Sequence, residues 1–495
     1  MNFSYYLRKF SKDSLYYGLG GALARFISIF TAPILTRIFT PADYGALDLV
    51  NTAHGVLLLF AGLNIISGVN RHYFEMKTPE DRNKLLSTGF LMAIIWGFVM
   101  LGITMLYKNQ IADYIQKDSE IIRNYPLFLT LVFIRSPFNL AHQYFLNLLR
   151  FRKLAKQYVL ITIVQIILNL VLIILLVVVL RLGIFGAFLA GTISGILISI
   201  YSYTFNYKYI STAFSKKYSK LILHYSLPQF PSVLINWGIL QMNRFFLLKY
   251  CPDSELGYYS IANKVASIMM IAIMAFRFAW SPFSMEIMQK KNYKDLYNKF
   301  FRVSLIGFTF LAVLVSLNSK IIIRILAPIT YLPAFNIIVF IVFGYTIQLI
   351  NNILAVGIGI EKKTKYISYA QTIVFISTLI FNFIFIERYM AVGAGIAVML
   401  SYFIQTICYL IFANMVHPIP FSLFNFVHYF VILIVTTIIV FFLGNLNMFN
   451  SIIVTLTSNL ALFLYVWYVW MRMYERNLII QFFKKKLNYL SIDQN

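Results

Sequence analysis

The chain has 495 residues, 60% of them hydrophobic, 17% aromatic and only 12% charged, with a net charge of +25. A soluble protein of this size could not hide that much apolar side chain, so the composition defines a polytopic membrane protein. The apolar stretches are too long and continuous for the short alternating strands of a barrel, and the fold class is all-α.

Fourteen spans are predicted, at about 13–39, 44–68, 85–107, 125–148, 157–180, 184–207, 221–249, 255–280, 301–318, 332–359, 366–386, 391–414, 424–443 and 450–471. The first is too long for a signal-peptide core and no small-residue cleavage site follows it, so it is expected to remain as a helix. It carries Arg25 near its middle, on a small polar face with Gly18, Gly21, Ser28, Ala32 and Thr36. An arginine at mid-membrane costs roughly 2.5–3.5 kcal/mol on insertion scales and needs a compensating environment. Two readings stay open for it, a substrate-facing cation and a glue between helices. With the N-terminus taken as cytoplasmic, 28 Lys and Arg fall on the cytoplasmic side, 8 on the other, and 6 inside spans. That bias predicts cytoplasmic N- and C-termini and explains the net charge without nucleic acid as a partner. No loop is long enough to be a domain, so any chemistry belongs in the membrane or at its edges. Cys251 and Cys408 form no CxxC or His/Cys cluster, and neither a metal nor another cofactor is predicted.

An internal repeat is legible. Arg37, Gly45 and Asn51 recur as Lys249, Gly257 and Asn263, each 212 residues on. Arg181, Gly186, Ala187 and Ala190 recur as Arg388, Gly393, Ala394 and Ala397, each 207 on. Both copies start on odd-numbered spans, so the repeat is parallel, with an axis along the membrane normal. The expected organisation is an N-terminal six-helix lobe (1–207), a C-terminal six-helix lobe (208–415), two extra, peripheral helices (416–473) and a basic cytoplasmic tail (474–495) resting on anionic lipid.

The strings LTRIFTPADYG (35–45), GLN…NRHYFE (62–75), LPQFPSVLINW (227–237) and LGYYSIANK (256–264) resemble the lipid-linked oligosaccharide flippases of bacterial polysaccharide export, the O-antigen or Wzx-type flippases. These belong to the multidrug/oligosaccharidyl-lipid/polysaccharide exporter superfamily. The resemblance covers nearly the whole chain. It implies transfer of an undecaprenyl-diphosphate-linked oligosaccharide between leaflets of the bacterial inner membrane, by two lobes rocking around a central cavity. Other polysaccharide-assembly proteins are further candidate partners. Where the family usually has an acidic residue just before the arginine of span 7, this chain has Asn243 before Arg244.

The charges inside the spans fit an anionic cargo. They are Arg25, Arg37, Arg135, Arg244, Lys264 and Arg277, against Asp48 as the one clear acid. Arg37 and Arg277 are expected to snorkel to the interface, leaving Arg25, Arg135, Arg244 and Lys264 to face one cavity, with Asp48 as partner of one of them. A diphosphate suits arginine forks. Span 4 places Arg135, Asn139 and His142 on one face, and span 7 places Trp237, Gln241 and Arg244 on another after a break at Pro228 and Pro231. Span 10 adds Tyr345, Gln348 and Asn352. Cations beside amides and an aromatic surface match a sugar diphosphate, although each amide alone fits helix–helix glue equally well. His54 reads as a packed histidine. The competing functions are a peptidoglycan-precursor flippase, a multidrug antiporter, which would need more buried carboxylates, and a membrane polymerase or acyltransferase, for which no nucleophile–base pair is visible.

Overall fold

Thr40 and Asp43 start the first complete helix. The Thr40 hydroxyl accepts from the Asp43 backbone N–H while the Asp43 carboxylate accepts from Thr40 N, and Pro41 fills the first helical position. That capping box satisfies two orphan donors and lets the chain reverse sharply after the preceding helical turn at 31–36. The computed structural model describes residues 31–116, 124–152, 154–211, 213–473 and 475–476. Most of the first expected span, including Arg25, and nearly all of the basic tail lie outside these residues.

The described residues are helical, without strands. In chain order the helices are α1 (Pro41–Gly62), α2 (Ile65–Tyr73), α3 (Pro79–Leu106), α4 (Lys108–Gln116), α5 (Tyr125–Ile134), α6 (Ser136–Phe151), α7 (Ala155–Ile173) and α8 (Gly183–Thr204). Then follow α9 (Lys216–Tyr250), α10 (Asp253–Met288), α11 (Tyr293–Leu317), α12 (Ser319–Leu326), α13 (Phe335–Leu354), α14 (Val356–Ile360), α15 (Lys365–Val416), α16 (Asn425–Gly444) and α17 (Met448–Tyr465). Among the described residues, ten helices are long and apolar enough to cross a membrane. One of them, α15, has 52 residues and kinks at Met390, where φ is 52° and ψ −133°, so it carries two expected spans.

Three local expectations need correction. Expected span 2 is divided into α1 and α2 by Leu63 and Asn64, both at positive φ. Expected span 4 is divided at Arg135, because Pro137 enters the next helix at its first turn and lacks the N–H to continue the earlier one. Pro228 and Pro231, expected to break span 7, instead sit inside the continuous α9. Neighbouring helices in a membrane bundle can hold such a segment helical despite the missing donors.

The repeat has a physical counterpart. A Cβ added to Gly45 would lie 3.0 Å from the Gly257 backbone N, and Ser260 Oγ donates to Asp48 Oδ2 at 2.7 Å. Both pairs join residues 212 apart, and the paired positions rise together along α1 and α10. Contact between a residue and its own equivalent is what a two-fold axis produces. These two pairs run in the same direction along both helices, so α1 and α10 cross in parallel register. Gly183, at the start of α8, and Met390, at the kink inside α15, are 207 apart and both have positive φ. A glycine tolerates this, whereas a methionine is strained.

The most buried element is α13, apolar almost all round and packed against α10, α11 and α15. The last two helices lie against α11, α12 and α13 and are pinned at both ends. Lys320 Nζ donates to the carbonyls of Leu443 and Leu446 and to Ser451 Oγ, capping the C-terminus of α16. Arg302 pairs with Glu475 at 2.7 Å and donates to the Trp470 carbonyl.

Candidate functional site

A cavity of about 450 Å³ opens between α1, α9, α10 and α13. Its wall holds Tyr44, Asp48 and Asn51 from α1, Gln241 and Arg244 from α9, Ser260, Asn263, Lys264 and Ser267 from α10, and Tyr345 from α13. The reason these meet is the close crossing of α1 and α10 at Gly45 and Gly257, where a side chain on Gly257 would collide with the Pro41 carbonyl. One turn further along, the small Ser260 leaves room for the Asp48 carboxylate.

Asp48 is the polar centre. Its Oδ2 accepts from Arg244 Nε at 2.5 Å and from Ser260 Oγ at 2.7 Å, tying α1 to both α9 and α10. The Arg244 guanidinium also lies over the Tyr259 ring and donates to Leu240 O. Its side chain is 6% exposed and that of Asp48 25%. Lys264 Nζ donates to Tyr44 Oη at 2.9 Å and to Thr31 Oγ1 at 3.4 Å, with no carboxylate among its hydrogen-bond partners in the described residues. The described lining residues therefore carry two cations and one carboxylate, which leaves one positive charge among them for an anion to neutralise.

The other sequence-selected residues occupy different places. Arg135 stands behind the wall, its Nη2 donating to Asn51 Oδ1 at 2.7 Å and lying 3.2 Å from His54 Nδ1. Gly191 on α8 leaves space for the Arg135 guanidinium, and a Cβ on Gly195 would lie 2.9 Å from Asn139 Oδ1. This G-x-x-x-G was the available sequence signal for that packing. His142 is buried between Ser202 Oγ at 2.8 Å and Gln165 Oε1 at 3.1 Å. Trp237 faces α1, its indole N 3.3 Å from a Cβ placed on Gly55. Gln241 lines the cavity with a buried Oε1 that has no hydrogen-bond partner among the described residues, and Gln348 Oε1 on α13 is in the same condition. Asn352 accepts from Arg277 Nε at 3.1 Å, and Arg277, exposed near the end of its expected span, is thereby joined to α13. Asn243, next to Arg244, is fully buried and neutral, held by Tyr259 Oη, the Ala394 carbonyl and Asn382.

Sequence reasoning did not select Tyr44, Asn51, Ser260 or Asn263 for the site. Asn51 and Asn263 were visible as members of the 212-residue repeat, and that was the usable signal.

The cavity is bounded by contacts at both ends. At the end bearing the basic loops, Tyr218 Oη donates to Asp81 Oδ1 at 2.6 Å, and Ser87 meets Ser211. Beneath them Ile65, Val69, Leu85, Leu86 and Ile222 pack together. At the opposite end Thr36 Oγ1 donates to Leu326 O at 2.9 Å, and Tyr331 Oη donates to Phe39 O at 2.7 Å.

A bundle of long apolar helices around a charged cavity, with contacts across the bundle toward each end, is the architecture of a multi-pass membrane protein. The chain belongs to the polysaccharide biosynthesis protein family, whose model matches residues 34–335, more than half its length. It is 23% identical over 295 residues to an uncharacterized membrane protein of Haemophilus influenzae, covering 57% of this chain and 67% of that one. The fold is similar to that of the lipid II flippase MurJ in an inward closed conformation, with a TM-score of 0.71, 16% identity, and coverage of 94% of this chain and 99% of that one. It is also similar to an inward-facing multidrug resistance MATE family transporter of the MOP superfamily, with a TM-score of 0.66, 13% identity, and coverage of 80% and 97%. These neighbours are transporters, not enzymes.

Proposed function

We propose that this protein is a flippase that moves an undecaprenyl-diphosphate-linked oligosaccharide from the inner to the outer leaflet of the bacterial inner membrane, with both termini cytoplasmic. The observation that carries this reading is the excess cation among the described cavity residues: Arg244 and Lys264 against one carboxylate, Asp48. A diphosphate entering the cavity offers Arg244 a doubly charged, bidentate partner in place of Asp48. Release of Asp48 from Arg244 and Ser260 unties α1 from α9 and α10 next to the Gly45–Gly257 crossing. The substrate thereby favours a rearranged state over the one in which Asp48 pairs with Arg244, which is the differential affinity that alternating access needs. The family membership and the likeness to a lipid II flippase support a lipid-diphosphate cargo.

A drug antiporter is less well supported, since a cationic drug would meet an excess of positive charge. The test is reconstitution of the full chain in liposomes holding a short diphosphate-linked oligosaccharide lipid, with its leaflet followed by an impermeant sugar-modifying reagent. Protein-dependent transfer is expected. Equal transfer in protein-free vesicles, or selective transfer of a peptidoglycan precursor, would overturn the assignment.

A further inference from the structure

Asn51 and Asn263 occupy equivalent places in the two repeats and are built in the same way. Asn51 Oδ1 accepts from Arg135 Nη2 at 2.7 Å, and Asn263 Oδ1 accepts from Tyr345 Oη at 2.8 Å. Arg135 and Tyr345 come from the fourth expected span of each repeat and stand 210 residues apart, against 212 for the asparagines. Each asparagine oxygen is thus turned onto a fixed donor. An amide with its oxygen held this way must present its NH2 elsewhere. Asn51 spends one N–H on Leu47 O of its own helix and gives the other to no partner among the described residues, and both asparagines line the cavity. Asn51 is exposed in the middle of an apolar helix, which is costly unless the cavity holds polar atoms.

We infer that Asn51 and Asn263 are a pair of oriented amide donors for the sugar oxygens of the cargo, and that Arg135 and Tyr345 are positioning residues that fix them. This rests on the flippase reading and deepens it. Neutral N–H donors suit hydroxyl and carbonyl oxygens, whereas the diphosphate goes to Arg244 and Lys264. Arg135 then acts on the substrate through Asn51 and not by touching it. Losing Tyr345 Oη frees Asn263 to rotate and offer its oxygen, replacing a donor by an acceptor.

The experiment is equilibrium binding to the purified full chain of two probes, a short polyprenyl diphosphate bearing a disaccharide and the same diphosphate without sugar. Asn51→Ala and Asn263→Ala are each expected to weaken the glycosylated probe about fivefold to tenfold, the worth of one or two neutral hydrogen bonds, and to leave the sugar-free probe within about twofold. Tyr345→Phe should weaken the glycosylated probe in the parent but add no further loss in the Asn263→Ala background, because the two act in series. Arg135→Gln should behave likewise against Asn51→Ala. If the parent binds neither probe, the flippase reading fails. If the parent prefers the glycosylated probe but the asparagine variants keep that preference, or if Tyr345→Phe and Asn263→Ala losses simply add, this inference fails while the flippase reading stands.

Discussion

Removal of the Arg244 side chain separates its observed role, as partner of Asp48, from its proposed one, as ligand of the cargo. Arg244 is nearly buried and bonds Asp48 at 2.5 Å, so Arg244→Ala strands a carboxylate. Breaking a buried pair from one side costs about 3–5 kcal/mol, and the low end applies here because Asp48 is a quarter exposed and keeps Ser260. Membrane abundance should therefore fall, and Asp48→Asn in the same chain should restore it. Transport should not recover in that double variant. Losing two charge-assisted bonds to phosphate, at about 1.5 kcal/mol each or more, removes about two decades of affinity or rate. Arg244→Lys should keep part of the activity, since charge survives and the fork is lost. Asp48→Asn alone should be milder than Arg244→Ala. The assay is leaflet transfer in liposomes, normalised to folded protein. Parental transport by the Arg244→Ala/Asp48→Asn double variant would show that Arg244 serves only Asp48, and the anion-site reasoning would be wrong.

Other expectations follow from single features. A diphosphate leaving the cytoplasm moves down an inside-negative potential, worth about 2.3 kcal/mol per charge per 100 mV, so transfer should accelerate with potential and without an ion gradient. Unchanged rates at zero potential would contradict this. Gly257→Ala places a methyl group against the Pro41 carbonyl and should part α1 from α10. In a chain with Cys251 and Cys408 replaced, a cysteine at Ser267 should then label faster with an impermeant thiol reagent from the side opposite the basic loops. Met390→Gly should raise thermal stability by about 1–2 kcal/mol by relieving a positive-φ side chain, and an unchanged or lower melting temperature would refute that strain.

Much of the architecture was legible before any coordinates. Apolar length and the distribution of Lys and Arg determine a multi-pass helical protein, because a bilayer imposes its thickness and charge asymmetry on every span. The 212-residue offset was equally legible as the recurrence of Arg37, Gly45 and Asn51 in Lys249, Gly257 and Asn263, whereas the meeting of Gly45 with Gly257 was decided by packing. Asp48 and Arg244 could be named as unusual from their types alone. Their pairing, together with Ser260, could not, because it depends on the rotation of α9 against α1, which tertiary packing sets. The same holds for Arg135, Asn139 and His142. Helical spacing put them on one face, but Pro137 breaks the helix at Arg135, and packing then gave Arg135 to Asn51 and His142 to Ser202 and Gln165. Periodicity reports which residues share a side of an ideal helix. Only the packed bundle decides which of those sides meets the cavity, and proline breaks and close glycine crossings rotate that answer one helix at a time.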